Sequence, residues 1–278
     1  MNKPRIGLVG VGLMGHGIAL NIARKGYALA VLEHPGNQPL DELRALGVTS
    51  AATVQALALQ VQVLILCVTG SPPVEAVLLG EQGALAALQP GTVGIDCSTA
   101  IPASTASVTR TPREAAEGRL NLLVGGDAQL LQECLPLLQC FAENVTHTGA
   151  VGSGHRMKLL HNYVSLGSVA LIAEAAACAL AAEVSPQVFV DVLAKGGGGG
   201  VALERLRPYL LQHDASSLRF FMSNALKDLG YYTTMAQDSA AARGIAQAVR
   251  DTFAHAVTEG GPEKLVPELV DILVKNPL

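Results

Sequence analysis

The stretch that most constrains this chain is Arg5–Glu33, RIGLVGVGLMGHGIALNIARKGYALAVLE. It reads as a strand, a glycine turn, a helix and a second strand that ends on an acid. Arg5–Val9 is apolar and β-branched, as a buried parallel strand requires. Gly10, Gly12 and Gly15 follow as G-x-G-x-x-G, and Leu13, Ile18, Leu20 and Ile22 then recur with helical spacing. Each glycine has its own task. The first allows a tight turn, the second lets the backbone approach a pyrophosphate, and the third lets the helix lie close on the strand. The helix N-terminus adds N–H donors and a partial positive charge suited to phosphate. Glu33 stands about twenty residues on, where an acid hydrogen-bonds a ribose 2′-hydroxyl.

The pattern therefore predicts a dinucleotide site, with Gly10, Gly12, Leu13, Met14, Glu33 and His34 as its contacts. A carboxylate at Glu33 repels a 2′-phosphate and no arginine stands at 33 or 34, so NAD is expected over NADP. A protonated His34 would offset part of that repulsion. The bland alternative leaves Glu33 as a strand end in solvent.

Half of the 278 residues are apolar and 15% are charged, enough for a large core in one or two domains. A net charge of −4 without a basic block, and no Trp, argue against nucleic acid as a partner. Cys67, Cys97, Cys134, Cys140 and Cys178 form no C-x-x-C and sit mostly in apolar runs, so buried free thiols are expected. Lys3 and Arg5 before an apolar run mimic a signal peptide, but that run is the nucleotide fingerprint and holds His16. Ser165–Ala182 is long and apolar, yet Ala-rich and interrupted by Glu174. It reads as a buried helix at a domain or subunit interface rather than a membrane span. A cytoplasmic homodimer or homotetramer is expected.

Strand-like runs recur at Ala28–Leu32, Val61–Val68, Thr92–Asp96, Leu120–Val124 and Asn144–His147. Helical patterns lie between several of them, at Val54–Leu59, Val74–Leu79 and Gln129–Phe141. That alternation predicts an α/β domain with a doubly wound parallel sheet of the Rossmann kind over residues 1–150. Beyond Gly149 only helical patterns remain, beginning with the long one at His155–Ala182. Residues 151–278 are expected as an all-helical domain joined through that helix. Gly196–Gly200 could be a hinge, a close-packed turn or a flexible loop.

Four ordered motifs make the chain resemble the β-hydroxyacid dehydrogenases. GLVGVGLMGHGIALNI is similar to the family's G-x-G-x-M-G-x-x-x-A-x-N, with Met14, Ala19 and Asn21 in register. DCST at Asp96–Thr99 resembles its D-x-S-T, GSGHRMKLLHN at Gly152–Asn162 its G-x-G-x-x-x-K-x-x-x-N, and KDLG at Lys227–Gly230 its K-D-L. The resemblance implies an oxidoreductase that interconverts a short 3-hydroxy acid and its semialdehyde. Lys158 would be the general acid/base, and Val68, Thr69, Thr99 and Lys227 further cofactor contacts. Ser98, Thr109, Arg110, Thr111, Asn162 and Ser165 would bind a small anionic substrate. Spacing agrees in one respect: Lys158 and Asn162 are four apart and project from one helix face. His155 is expected to cap or solvate the helix start, and no metal is expected because no cluster has ligand spacing.

Two departures from the family pattern stand out. Where relatives carry D-A-P-V-S-G-G, this chain has ASVTRTP at Ala106–Pro112, with Thr109 at the serine position and Arg110 at a glycine. A guanidinium there suits carboxylate or sulfonate, as in the sulfolactaldehyde-reducing branch. Between Asp96 and Leu120 no helical face and no clear strand is legible, so about twenty residues seen in the family are expected to be missing near Thr105–Ala106. A smaller loss is expected after Ile245. Tartronate semialdehyde is the first expected substrate, with sulfolactaldehyde or 3-hydroxyisobutyrate next. A non-catalytic dinucleotide-binding protein is the alternative of a different class.

Overall fold

The computed structural model describes residues 3–98, 106–109 and 111–277. The chain divides into two compact units, Met1–Lys158 and Leu159–Leu278.

In the first unit β1 (Ile6–Val9) leads through α1 (Leu13–Arg24) to β2 (Leu29–Leu32). Then come α2 (Asp41–Ala45), β3 (Thr49–Ala51), α3 (Val54–Ala58), β4 (Val63–Leu66), α4 (Ser71–Leu79) and β5 (Val93–Asp96). The five strands form a parallel sheet in the order β3-β2-β1-β4-β5, with Ile6 beside both Leu29 and Val63. Side chains of successive strand residues point to opposite faces, and the sequence fills both. Leu29, Val31, Val63 and Ile65 enter one core with Ile18 and Ile22 of α1. Ala30, Leu32, Leu64 and Leu66 enter the other with Leu57 and Val74. A sheet covered on both faces explains why its strands read as unbroken apolar runs. β2 and β4 flank β1, so the strand order reverses at the carboxyl end of β1, the position where open α/β sheets take their ligands.

The remaining strands stand apart. β6 (Ala106–Thr109), α5 (Pro112–Ala116), β7 (Leu120–Gly125), α6 (Ala128–Leu138) and β8 (Ala142–Gly149) form a second, three-stranded sheet. Here β6 runs antiparallel to β7, and β7 parallel to β8. Both β6 and α5 occupy the stretch where no element was expected. β6 pairs with β7, which follows it, and not with β5, which closes the other sheet. The missing segment is expected near Thr105–Ala106; residues 99–105 lie outside the described residues, and Ala106 opens β6. α5 had a visible signal after all: Thr111 and Glu114 make a capping box, and Pro112 takes the first helical position.

α1 and α5 meet through backbone. A Cβ on Gly17 would lie 2.5 Å from the Ala115 carbonyl carbon, so only glycine fits. One turn on, the Asn21 amide donates to the carbonyls of Ala115 at 2.9 Å and Ala116 at 3.1 Å, and to Gly17 at 2.8 Å. Those two α5 carbonyls lie at the C-terminal end of the short helix, where oxygens lack helical partners.

α7 (Ser153–Ala181) begins in the first unit and continues through the second. By length and composition alone it would pass as a membrane-spanning helix. The structure places Leu166, Val169, Ala173 and Ala176 in the core of the second unit instead. α8 (Pro186–Lys195), α9 (Val201–Gln212), α10 (Met222–Asp238), α11 (Gly244–Gly260) and α12 (Leu269–Lys275) complete that unit. Leu203, Met222, Phe253 and Leu269 are fully buried there, each worth about 1.5–3 kcal/mol of burial. Of the readings for the glycine run, the structure gives a tight turn. Gly199 N–H donates to Gly196 O at 3.2 Å, and a Cβ on Gly198 would press Leu193 at 2.8 Å.

Candidate active-site residues in the two units

The glycine turn separates its three glycines by surroundings. Gly10 has φ +93°, and a Cβ there would lie 2.3 Å from the Cys67 carbonyl oxygen at the end of β4. A Cβ on Gly15 would lie 1.9 Å from the Gly10 carbonyl oxygen. A Cβ on Gly12, by contrast, would meet nothing within 4 Å among the described residues. Gly12 is also the N-cap of α1, without a side-chain cap, and the first turn holds no acid. An open, uncapped and acid-free helix N-terminus is what a pyrophosphate requires. Leu13 is exposed at its rim and Met14 packs on the core behind it.

Glu33 lies just beyond β2, where its N–H donates to Ala51 O at 2.9 Å. It is not merely solvated. Ser50 Oγ donates to Glu33 Oε1 at 2.5 Å, and Arg44 Nη2 stands 3.9 Å from the same oxygen. An open cleft of about 440 Å³ is bordered by Glu33, His34, Asn37, Gln38 and Arg44. The residues present fit a dinucleotide: a glycine cradle at one end and an acid beside an open cleft at the other. Asn37 and Arg44, which border the cleft, and Ser50, which reaches Glu33, carried no signal in the sequence, because each is brought there by a turn or a short element of its own.

At the ends of β4 and β5 the backbone is tied by a chain of bonds. Val68 N–H donates to Ser98 Oγ at 3.0 Å, and Ser98 N–H donates to Asp96 Oδ1 at 2.8 Å. Ser98 is 2% exposed, so its hydroxyl braces the Val68 turn. The other Asp96 oxygen lies 3.7 Å from His155 Nε2, with both side chains buried. His155 was expected to cap or solvate the start of α7. It faces inward because its position in the first turn points it at the end of β5. Burial foremost, and then the Asp96 charge, push the Cys67 thiol up to about 12. Cys97 is raised as well, through burial, Cys67 and Asp96. All five cysteines are free, and Cys178 is exposed rather than buried.

Of the residues expected on the substrate, Thr109 is 5% exposed and pairs with Asn121 across β6 and β7. Thr111 is engaged by Glu114, which accepts its N–H at 3.1 Å and its hydroxyl. Arg110 and Thr99 lie outside the described residues. Lys158 is half-buried on α7, and Val68 and Thr69 follow β4 in the turn against Ser98.

In the second unit two motifs meet. Asn162 Nδ2 donates to Asp228 Oδ2 at 2.7 Å, and Lys227 Nζ lies 3.2 Å from Asp228 Oδ1. His161 Nδ1 stands 3.1 Å from Asn162 Oδ1, and Lys227 lies 5.7 Å from the Tyr231 ring centroid. Asp228, 3% exposed, is the residue that sequence reading passed over inside the K-D-L motif. It orients the amide and holds the lysine together. Ser165 is half-buried one turn beyond His161.

A five-stranded parallel sheet with a glycine cradle at its switch point, followed by a helical unit built on one long helix, defines a nicotinamide dinucleotide-dependent oxidoreductase of two-unit design. The comparisons agree. Residues 5–114 match the family model of the NAD binding domain of 6-phosphogluconate dehydrogenase. Residues 152–273 match that of the NAD-binding region of NADP-dependent 3-hydroxyisobutyrate dehydrogenase. The chain is 30% identical over 258 residues to an NAD-dependent L-serine dehydrogenase of Pseudomonas aeruginosa, across 85% of this chain and 86% of that one. It is 29% identical over 198 residues to 2-hydroxy-3-oxopropionate reductase of Escherichia coli, across 66% and 67% of the two. The solved 3-hydroxyisobutyrate dehydrogenase of Salmonella typhimurium shares its fold, with TM-score 0.83 at 24% identity over 96% of this chain and 99% of that one. The chain belongs to the 3-hydroxyisobutyrate dehydrogenase-like β-hydroxyacid dehydrogenases, whose members act on hydroxyl groups.

Proposed function

We propose that this enzyme uses NAD(H) to interconvert a short 3-hydroxy acid and its semialdehyde, with 2-hydroxy-3-oxopropionate (tartronate semialdehyde) as the preferred substrate. The observation that carries this reading is the set Asn162–Asp228–Lys227, in which a buried carboxylate holds an amide and an ammonium ready for a small polar ligand. Lys158 stands one turn before Asn162 on the same helix.

When bound, the reduced nicotinamide supplies a hydride to the carbonyl carbon. Lys158 then gives a proton to the carbonyl oxygen, and in the oxidative direction takes it from the hydroxyl. Asn162 has a second amide N–H beyond the one given to Asp228, and this orients the reacting oxygen. Thr109, Arg110, Thr111, Ser98 and Ser165 stand in the segments assigned to the anionic end of the substrate. Lys227, held beside Asn162 by Asp228, would lie near both cofactor and substrate. The adenosine end favours NAD, because Glu33 opposes a 2′-phosphate.

The test is NADH consumption with 2-hydroxy-3-oxopropionate, sulfolactaldehyde and methylmalonate semialdehyde, for the wild type and Lys158→Ala. Turnover should be highest with the first and fall by about 10²–10⁴-fold in the variant, with NADH binding retained. Loss of NADH binding in Lys158→Ala would make that residue structural. Tight NADH binding by the wild type with no turnover would favour the non-catalytic reading.

A further inference from the structure

Asp96 and His155 are buried against each other at the end of β5, and the proposed reaction uses neither. Asp96 is 4% and His155 1% exposed. A carboxylate so far from water needs hydrogen bonds or an opposite charge at its oxygens. The Ser98 N–H serves Oδ1 at 2.8 Å, and the His155 ring faces Oδ2 through Nε2 at 3.7 Å. That separation exceeds a hydrogen bond, so the contact acts through charge: a proton on Nε2 turns the positive edge of the ring toward the carboxylate. Ser98 Oγ in turn accepts the Val68 N–H at 3.0 Å. One buried carboxylate thus ties the turn after β4 to the first turn of α7.

That first turn is also seated on β7 and β8. A Cβ on Gly154 would lie 2.3 Å from Leu123 O, and one on Gly125 would lie 2.6 Å from Ala150 O. Ser153 Oγ stands 2.7 Å from Thr148 Oγ1, which donates to Val124 O at 3.1 Å. The seat fixes the point at which α7 begins. It does not fix the rotation of the helix about that point, because the chain enters through Gly149 at φ +119° and Gly152 at φ +85°, residues whose backbone is permissive. His155 adds the second point of attachment, on β5. Lys158 is three residues further on, so its side chain neighbours that of His155 on the helix surface. Any rotation of the turn moves both.

We propose that His155 is a positioning residue: paired with Asp96, it sets the rotation of the first turn of α7 and so holds Lys158 in register with the Val68 turn. This rests on the reading of Lys158 as the acid/base and of Val68 as a cofactor contact. A reacting group displaced by about 1 Å loses on the order of 100-fold in rate. The glycine cradle is untouched by such a displacement, so the grip on the dinucleotide is kept.

Two substitutions separate positioning from packing. His155→Gln keeps an N–H for Asp96, whereas His155→Leu fills the space without one. With 2-hydroxy-3-oxopropionate and NADH, kcat should fall by roughly 30–100-fold in His155→Leu and return to within about threefold of wild type in His155→Gln. The Kd for NADH should stay within about twofold in both. If His155→Leu does not fold, Asp96→Asn/His155→Leu makes the same comparison without a stranded buried charge. A second readout needs no turnover: reductive methylation with carbon-13 formaldehyde labels the lysines for NMR, and Lys158→Arg identifies the Lys158 signal by its loss. That signal should move in His155→Leu and coincide with wild type in His155→Gln. The proposal is overturned if the Lys158 signal stays in place in His155→Leu, if His155→Gln loses as much activity as His155→Leu, or if NADH affinity falls in step with kcat. A signal that responds as expected in a protein that turns over no semialdehyde would uphold the positioning and sink the reading of the reaction.

Discussion

Alanine at Gly12 should leave the protein folded and ruin its grip on NADH, whereas alanine at Gly15 should do damage to the fold first. The two positions are three residues apart and differ in what surrounds them. A Cβ on Gly12 meets nothing within 4 Å, and its φ of −76° suits any residue. The remaining cost is that of alanine at an N-cap, about 1 kcal/mol, or roughly 2–4 °C of Tm in a unit of this size. The new methyl nevertheless stands on the surface that a pyrophosphate must approach. Its binding should weaken by roughly 100-fold, about 2.7 kcal/mol. A Cβ on Gly15 would sit 1.9 Å from the Gly10 carbonyl oxygen, a rigid backbone atom. Relief requires α1 to move away from β1, and overpacking of that kind costs about 3 kcal/mol or more, roughly 6–12 °C. Thermal unfolding and NADH titration of both variants measure the two quantities separately. If Gly12→Ala binds NADH as wild type does, or melts as low as Gly15→Ala, the assignment of the open glycine to the pyrophosphate fails.

Two further outcomes follow from groups already described. Cys67 and Cys97 should resist thiol labelling in the native protein at neutral pH, because their raised pKa values keep them as thiols; rapid labelling of either would contradict their surroundings. The same shifts fix a sign. The folded chain holds these protons above the ordinary thiol value of 9.0, so their contribution is intact below that pH and is lost as pH rises beyond it, for Cys67 toward about 12. Denaturant unfolding at neutral and alkaline pH should show stability falling on the alkaline side. On α7, Val164 is 63% and Leu171 66% exposed, and we propose that they pack against a second copy. Replacing both by Glu should reduce a dimer or tetramer to monomer by light scattering, and a monomeric wild type would dispose of that reading.

How much could be read beforehand depended on how far each signal extended along the chain. β1, α1 and β2 were legible because a buried parallel strand, three glycines and a helical apolar face fall in one continuous run. α2 and β3 were not, since each is short and buries a single residue, Leu43 and Ala51, which leaves no repeating apolar pattern. β6 was hidden for a different reason: its pairing is antiparallel, and nothing in A-S-V-T announces a partner strand. α5 could have been found from Thr111, Pro112 and Glu114, which mark a helix start by capping rather than by periodicity. Within the site, Lys158 and Asn162 were proposed from the resemblance of Gly152–Asn162 to the family's signature, with which their four-residue helical spacing agrees. Arg44 and Asn37 were missed because only the folded turn brings them to Glu33 and Val11. His155 was misjudged because a polar residue at a helix start reads as solvated until the strand it faces is known.

The contact of Gly17 and Asn21 with α5 has a consequence for how this sequence can drift. A side chain at position 17 is admissible only if the backbone at Ala115 has already withdrawn, and that withdrawal would deprive Asn21 of the carbonyls it binds. Positions 17 and 21 are therefore coupled through the α5 backbone, whichever residue stands at 115: a chain that has lost the glycine at 17 should also have lost the carbonyl contacts of Asn21.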